Sequence, residues 1–160
     1  MKFNIKSIDD KERKGIKKII KERWNDKRIV YNGKVFYPHK LKGFIALKGK
    51  EIIGLISYKT LKNTYWIISI DFLFESRGIG TALIKTVKKE AKKNGIKKLK
   101  LITTNDNLSA IRFYQKRGFR LKKIYPNAVE KSRKVKPTIP KVGEEGIPIL
   151  DEIELEMIVN

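Results

Sequence analysis

The sequence predicts a mixed α/β fold of the α+β kind, with a central, mostly antiparallel sheet and helices on its faces. Three strand-like runs follow one another between Gly43 and Phe74. Two helical stripes then begin after Gly80 and after Asn107, and each is followed by a run that alternates apolar and polar residues. The chain has 160 residues, 41% hydrophobic and 34% charged, which reads as one domain, 1–160, able to bury a core without disulfides or metals.

Taken in order, Lys2 to Lys6 alternate apolar Phe3 and Ile5 with polar neighbours, as a short first strand does. Ser7 stands where it can cap a following helix, with Asp10 at the capping-box distance and Ile8 as an anchor. Ile16, Ile19, Ile20 and Trp24 form one helical stripe up to Asn25. The stretch YNGKVFYPHK, 31–40, is turn-rich and aromatic and reads as a loop over one end of the sheet.

GFIALK, EIIGLISYKT and TYWIISIDFLF are then separated by short turns and form an antiparallel meander. Thr81 to Asn94 is helical, with Leu83, Ile84, Val87 and Ala91 on one side and Gly95 as its stop. KKLKLITT, 97–104, is a half-buried strand, and a second helix runs from Leu108 to Arg117, ending at Gly118. The runs 119–125 and 151–159 alternate and pair as a closing hairpin, leaving 126–150 as a long basic loop. No internal repeat and no domain boundary interrupts this order.

Composition removes several chemistries. There is no cysteine, so no disulfide, thiolate metal site or cysteine-bound intermediate is available. His39 is the one histidine, which argues against a histidine metal cluster or a Ser-His-Asp triad, and no metal is expected. The first residues lack the apolar core of a signal peptide and no run approaches a membrane span, so the expected location is cytoplasmic, with no membrane partner. The net charge of +21 has two readings: a surface that attracts nucleic acid or acidic substrates, or a lysine bias spread over solvated faces. Lysine outnumbers arginine and occurs all along the chain, which favours the second reading over a nucleic-acid partner.

The informative stretch is ESRGIGTALI, 75–84, where a strand gives way to a helix through Gly78 and Gly80. Unpaired N–H groups and the helix dipole make such a junction an anion site, and glycine lets a phosphate approach the main chain. A dinucleotide fingerprint needs a third small residue at position 83 and an ATP loop needs Gly-Lys-Ser/Thr, but position 83 is leucine. Neither loop fits.

With its strand-loop-helix setting, Ile70 to Thr81, Gly78-Ile79-Gly80 resembles the acetyl-CoA loop of the GNAT superfamily of N-acetyltransferases, Gln/Arg-x-x-Gly-x-Gly/Ala. Glu75 fills the position of the usual Gln or Arg, and Arg77 inside the loop offers compensating positive charge. NDNLSAIRFYQKRGF is similar to a second family element, Asn-x-x-Ala-x-x-x-Tyr-x-x-x-Gly-Phe, through Asn107, Ala110, Tyr114 and Gly118-Phe119. Positions 107, 110, 111 and 114 share one helix face. The resemblance covers residues 43 to 125.

The resemblance implies an acyltransferase that uses acetyl-CoA as acetyl donor, held where two central strands splay apart. It implies that Gly78, Gly80 and Thr81, with Ile79 anchoring the loop and Arg77 adding charge, hold the pyrophosphate. Backbone groups at Phe72 and Leu73, with Asn107 and the low face at Ala110, are then placed along the pantetheine arm. Tyr114 is the expected acid for the departing thiolate. Asp71 is the expected base, because an acid is out of pattern after an apolar run, although it can equally bond loop N–H groups. Glu75, His39 or water remain open for that role. Trp24, Tyr31, Phe36, Tyr37, His39 and the basic EKSRKVKP suggest an acceptor with an anionic part, either an acidic peptide or a small carboxylated amine. The other readings are a nucleic-acid-associated acetyltransferase or RNA binder, and a degenerate acetyl-CoA-binding regulatory domain. The chain is expected as a monomer or homodimer.

Overall fold

A computed structural model describes residues 1–24, 28–75 and 77–160. The end of the first helix at Asn25 and the side chain of Trp24 lie outside the described residues. The strands are β1 (Asn4–Ser7), β2 (Ile29–Tyr31), β3 (Lys34–Phe36), β4 (Lys42–Lys48), β5 (Glu51–Leu61), β6 (Thr64–Phe72), β7 (Lys98–Thr104), β8 (Arg120–Tyr125) and β9 (Glu152–Ile158). The α-helices are α1 (Arg13–Trp24), α2 (Ile79–Lys93), α3 (Leu108–Lys116) and α4 (Ala128–Val135). Strand order is β1-β4-β5-β6-β7-β9-β8 in a seven-stranded sheet, with β2 and β3 paired separately. This is the mixed, mostly antiparallel architecture that the sequence predicted.

The chain gathers into two compact units: Met1–Ile29 with Tyr37–Leu99 and Val159–Asn160, and Val30–Phe36 with Lys100–Ile158. In the first, Ile16 and Ile20 of α1 are fully buried against Ile45 and Leu55, while Ile19 packs at the margin. Ser7 does not cap a helix. It stays in β1 opposite Phe44, and α1 is instead preceded by a 3₁₀ turn at Asp10–Glu12. Arg13 ties the start of α1 to a second 3₁₀ turn, Pro38–Lys40, by donating to the carbonyls of His39 (2.8 Å) and Leu41 (3.0 Å).

The meander β4-β5-β6 is antiparallel throughout. Its β4–β5 register slips between Ala46, opposite Gly54, and Leu47, opposite Ile52, which makes Ile53 the extra residue of a bulge. Such a bulge bends the strand and re-aims its side chains. On the other face α2 buries Ile79, Leu83, Ile84, Val87 and Ala91. It ends as predicted at Gly95, whose φ of +71° suits the left-handed stop.

In the second unit β9 lies between β7 and β8 and pairs antiparallel with β8, from Arg120 opposite Glu156 to Tyr125 opposite Glu152. The stretch read as an aromatic loop holds a hairpin, β2–β3, turning at Asn32-Gly33 with φ of 51° and 72°. Two positive φ values are what a two-residue hairpin turn of this twist requires. The turn is fastened at both N–H groups. Asn32 donates to the Glu152 carboxylate at 2.8 Å, and Gly33 donates to the Ser132 hydroxyl at 3.2 Å.

The 126–150 stretch is likewise ordered. It contains α4, and Arg133 from that helix donates to the carbonyls of Ile139 (3.4 Å), Pro140 (2.9 Å) and Ile149 (2.6 Å). Part of the basic stretch that suggested an anionic acceptor therefore serves the chain's own main chain.

Candidate active site

The loop after β6 is built around backbone constraints. Leu73 donates its N–H to Ile53 at 2.8 Å, so this residue still pairs with β5 one position beyond the strand. Strand alternation turns the N–H and carbonyl of Phe72 to the opposite side from those of Leu73. Of the two positions expected along the pantetheine arm, Leu73 thus has its N–H engaged within the sheet. Phe74 and Gly78 both take positive φ, 57° and 80°.

Gly78 is the residue immediately before α2, and no side chain caps the helix there. The helix begins at Ile79, two residues earlier than the sequence suggested, so the first-turn N–H groups belong to the glycine loop itself. A Cβ at position 78 would meet no atom within 4 Å, so glycine is needed there for its φ and the space beside it is open. Gly80 and Ile79 are buried, Arg77 is exposed, and the first turn carries no acid. An open glycine cradle at a positive helix end, free of carboxylates in its first turn, fits a diphosphate. Glu75 is exposed to solvent.

Gly54 seats this loop. A Cβ built there would lie 2.7 Å from the Ile79 Cγ2 and 3.3 Å from the Leu83 Cδ1, so any side chain pushes the start of α2 off the sheet. Gly54→Val is expected to cost about 1–3 kcal/mol of stability, as overpacking in a closed core does. Urea unfolding measures it. A variant as stable as the parent means that α2 accommodates the added carbons without moving.

Asp71 lies near the end of β6, half-buried, with its Oδ2 3.2 Å from the Arg23 Nε of α1. Burial pushes its carboxyl above the usual range, against the opposing pull of Arg23 and of the Phe72 N–H. A carboxylate desolvated in this way holds a proton more readily than an exposed one. Asp71 faces a cavity of about 180 Å³ whose walls include Ile19, Arg23, Ile53 and Leu73. His39 belongs instead to the turn gripped by Arg13 and stands edge-on to Tyr37, with ring centroids 6.2 Å apart. Tyr37 and His39 belong to the first unit, Tyr31 and Phe36 to the second.

The second unit carries Asn107, Ala110 and Tyr114. Asn107 caps α3: its Oδ1 accepts from the Ala110 N–H at 3.3 Å, and its Nδ2 donates to Thr103 at 3.3 Å. Tyr114 is buried edge-on between Phe113 and Phe119, at centroid distances of 5.3 and 5.6 Å. Burial drives its phenol pKa up, and the neighbouring Tyr31 drives it further. Tyr114 therefore stays protonated at any physiological pH. Tyr31 stands beside it because Glu152 and Ser132 hold the adjacent turn, and Glu152 is itself buried with its carboxyl raised by desolvation. Sequence reasoning did not find the Arg23–Asp71 pair or the role of Glu152. The Asn-Gly turn was the one available signal for the hairpin. Among the described residues no group of three or more His, Cys, Asp or Glu could hold a metal ion.

The uncapped glycine junction at the end of a meander strand and the helix bearing Asn, Ala and Tyr at one-face spacing are the features that carried the resemblance to a coenzyme-dependent acyltransferase. The chain belongs to the GNAT acetyltransferase family, whose model matches residues 9–119. It is 44% identical over 140 residues, 87% of this chain and 88% of the other, to the uncharacterized protein YdhI of Bacillus subtilis (strain 168). It is similar to the solved IAA acetyltransferase of Bacillus cereus ATCC 14579, with a TM-score of 0.74 and 25% identity covering 98% of this chain and 99% of that one. A GNAT family acetyltransferase from Elizabethkingia anophelis with acetyl-CoA bound matches at a TM-score of 0.67 and 25% identity, covering 98% and 97%.

Proposed function

We propose that the chain moves the acetyl group of acetyl-CoA to a primary amine by direct transfer in a ternary complex. The observation that carries this reading is the open, uncapped glycine cradle at Gly78, in a chain of this family. The acetyl-CoA held by the Elizabethkingia anophelis relative supports the choice of donor. We read the two units as parts of one catalytic domain, since the family match runs through residues of both.

In this reading the N–H groups at Gly78, Ile79, Gly80 and Thr81, with Arg77 beside them, hold the pyrophosphate. Phe72, Leu73, Asn107 and Ala110 line the pantetheine arm, Phe72 through its outward-turned backbone and Leu73 through its remaining surface. When bound, acetyl-CoA supplies a thioester carbon open to attack and a thiolate able to leave. Asp71 takes the proton of the acceptor ammonium, directly or through one water. The Tyr114 Oη keeps its proton until the sulfur needs it. A phenol reference pKa of about 10 already exceeds a thiol's, about 8.5, and burial widens the gap. Transfer from Tyr114 is therefore concerted with departure of the thiolate, and the phenolate regains a proton as the new amide nitrogen gives up its second one.

With no cysteine to carry an acyl group, direct transfer with both substrates bound together is the expected course. Thiol release measured against acetyl-CoA and a panel of amines is expected to give intersecting initial-rate lines. Parallel lines, diagnostic of an acetyl-enzyme, overturn direct transfer. Absence of acetyl-CoA binding overturns the function.

A further inference from the structure

Resting on that reading, we infer that the cavity beside Asp71 selects an acceptor with a second positive charge, an aliphatic diamine. The cavity lies wholly within the first unit, where the C-terminal end of α1, the bulged start of β5 and the end of β6 converge. Its ionisable lining is Glu22, Arg23, Glu51 and Asp71. Lys and Arg number 38 against 17 Asp and Glu in the whole chain, so three acids to one base reverses the overall bias.

The single cation is already engaged, because Arg23 pairs with Asp71 at 3.2 Å. Glu22 and Glu51 are exposed and line the same cavity. The lining also includes the apolar side chains of Ile19, Ile53, Leu55 and Leu73. Two exposed carboxylates, a more buried one and apolar side chains in one lining suit an alkyl chain with an amine at each end. The reacting amine meets Asp71 and the distal ammonium meets Glu22 and Glu51. The bulge at Ile53 contributes, since the extra residue turns the β5 backbone where the cavity forms. A divalent cation is the less suitable occupant, because among the described residues no acidic group has metal-binding grouping.

The test uses three acceptors of similar length: 1,4-diaminobutane, butylamine and 4-aminobutanoate. Calorimetric binding to the full chain is expected to follow that order, the diamine at least about tenfold tighter than the amino acid. In the Glu22→Gln, Glu51→Gln double variant that preference should fall to about twofold, while butylamine binding is retained. Equal or tighter binding of 4-aminobutanoate overturns the inference and favours the carboxylated acceptor suggested by the sequence. A preference for the diamine that survives the double substitution overturns the assigned site. Because amine binding is read without turnover, loss of acetyl-CoA binding defeats the acetyltransferase reading and leaves this one to its own result.

Discussion

Tyr114→Phe is expected to lower kcat by about 10²- to 10³-fold while leaving the Kd for acetyl-CoA within about twofold, the pattern of a lost general acid. The phenyl ring alone preserves the edge-on packing against Phe113 and Phe119, so the loss reads the hydroxyl and not the fold. An acetyl thioester of an acidic thiol, whose sulfur leaves without help, should recover most of the deficit. Because burial and Tyr31 hold the phenol protonated, an alkaline limb in the wild-type profile comes from another group. A variant with full kcat on acetyl-CoA removes Tyr114 from the chemistry.

Asp71→Asn is expected to cost about 10²-fold or more in kcat/KM at neutral pH. The acid limb of the wild-type profile should disappear with it. Burial makes Asp71 hold its proton to a higher pH than an ordinary aspartic acid, whose own value is about 3.9. A base works only when deprotonated, so activity rises as pH climbs through that raised value and is lost as pH falls through it. Arg23→Gln removes the one charge that pulls the value down, and should move the limb further towards neutrality. An unchanged limb in Asp71→Asn assigns the base to another group or to water.

What the sequence revealed was whatever a single contiguous stretch encodes. The β4-β5-β6 meander was legible because its runs are long and its turns short, and α2 because its apolar stripe ends at Gly95. The glycine loop and the Asn107–Tyr114 face were legible for the same reason: each lies within one element and its entry. The β2–β3 hairpin was missed because each strand has three residues, too few for alternation to register, although Asn32-Gly33 marked the turn. α4 was missed because its buried side, Ala128, Val129 and Ser132, includes a serine among lysines and arginines.

β9 misled differently. Its alternation marked a strand but not the fate of its glutamates: 152, 154 and 156 are all buried, with Lys100 and Lys122 near two of them and Ser132 and the turn at Asn32 on the third. Partners drawn from β7, β8, α4 and a hairpin some 120 positions away are invisible to any local pattern. The Arg23–Asp71 pair was hidden in the same way, since its members stand on elements far apart in the chain.

The placement of β9 has a kinetic consequence. β7 and β8 are made first, with α3 between them, yet they are joined through a strand that follows only after α4 and its trailing loop. Until that strand arrives, both neighbours offer open hydrogen-bonding edges to other molecules, the situation in which chains stick together before they finish folding. Closing so distant a pairing is slow. Assembly of the second unit should accordingly lag behind the meander, and refolding yield should fall with rising protein concentration.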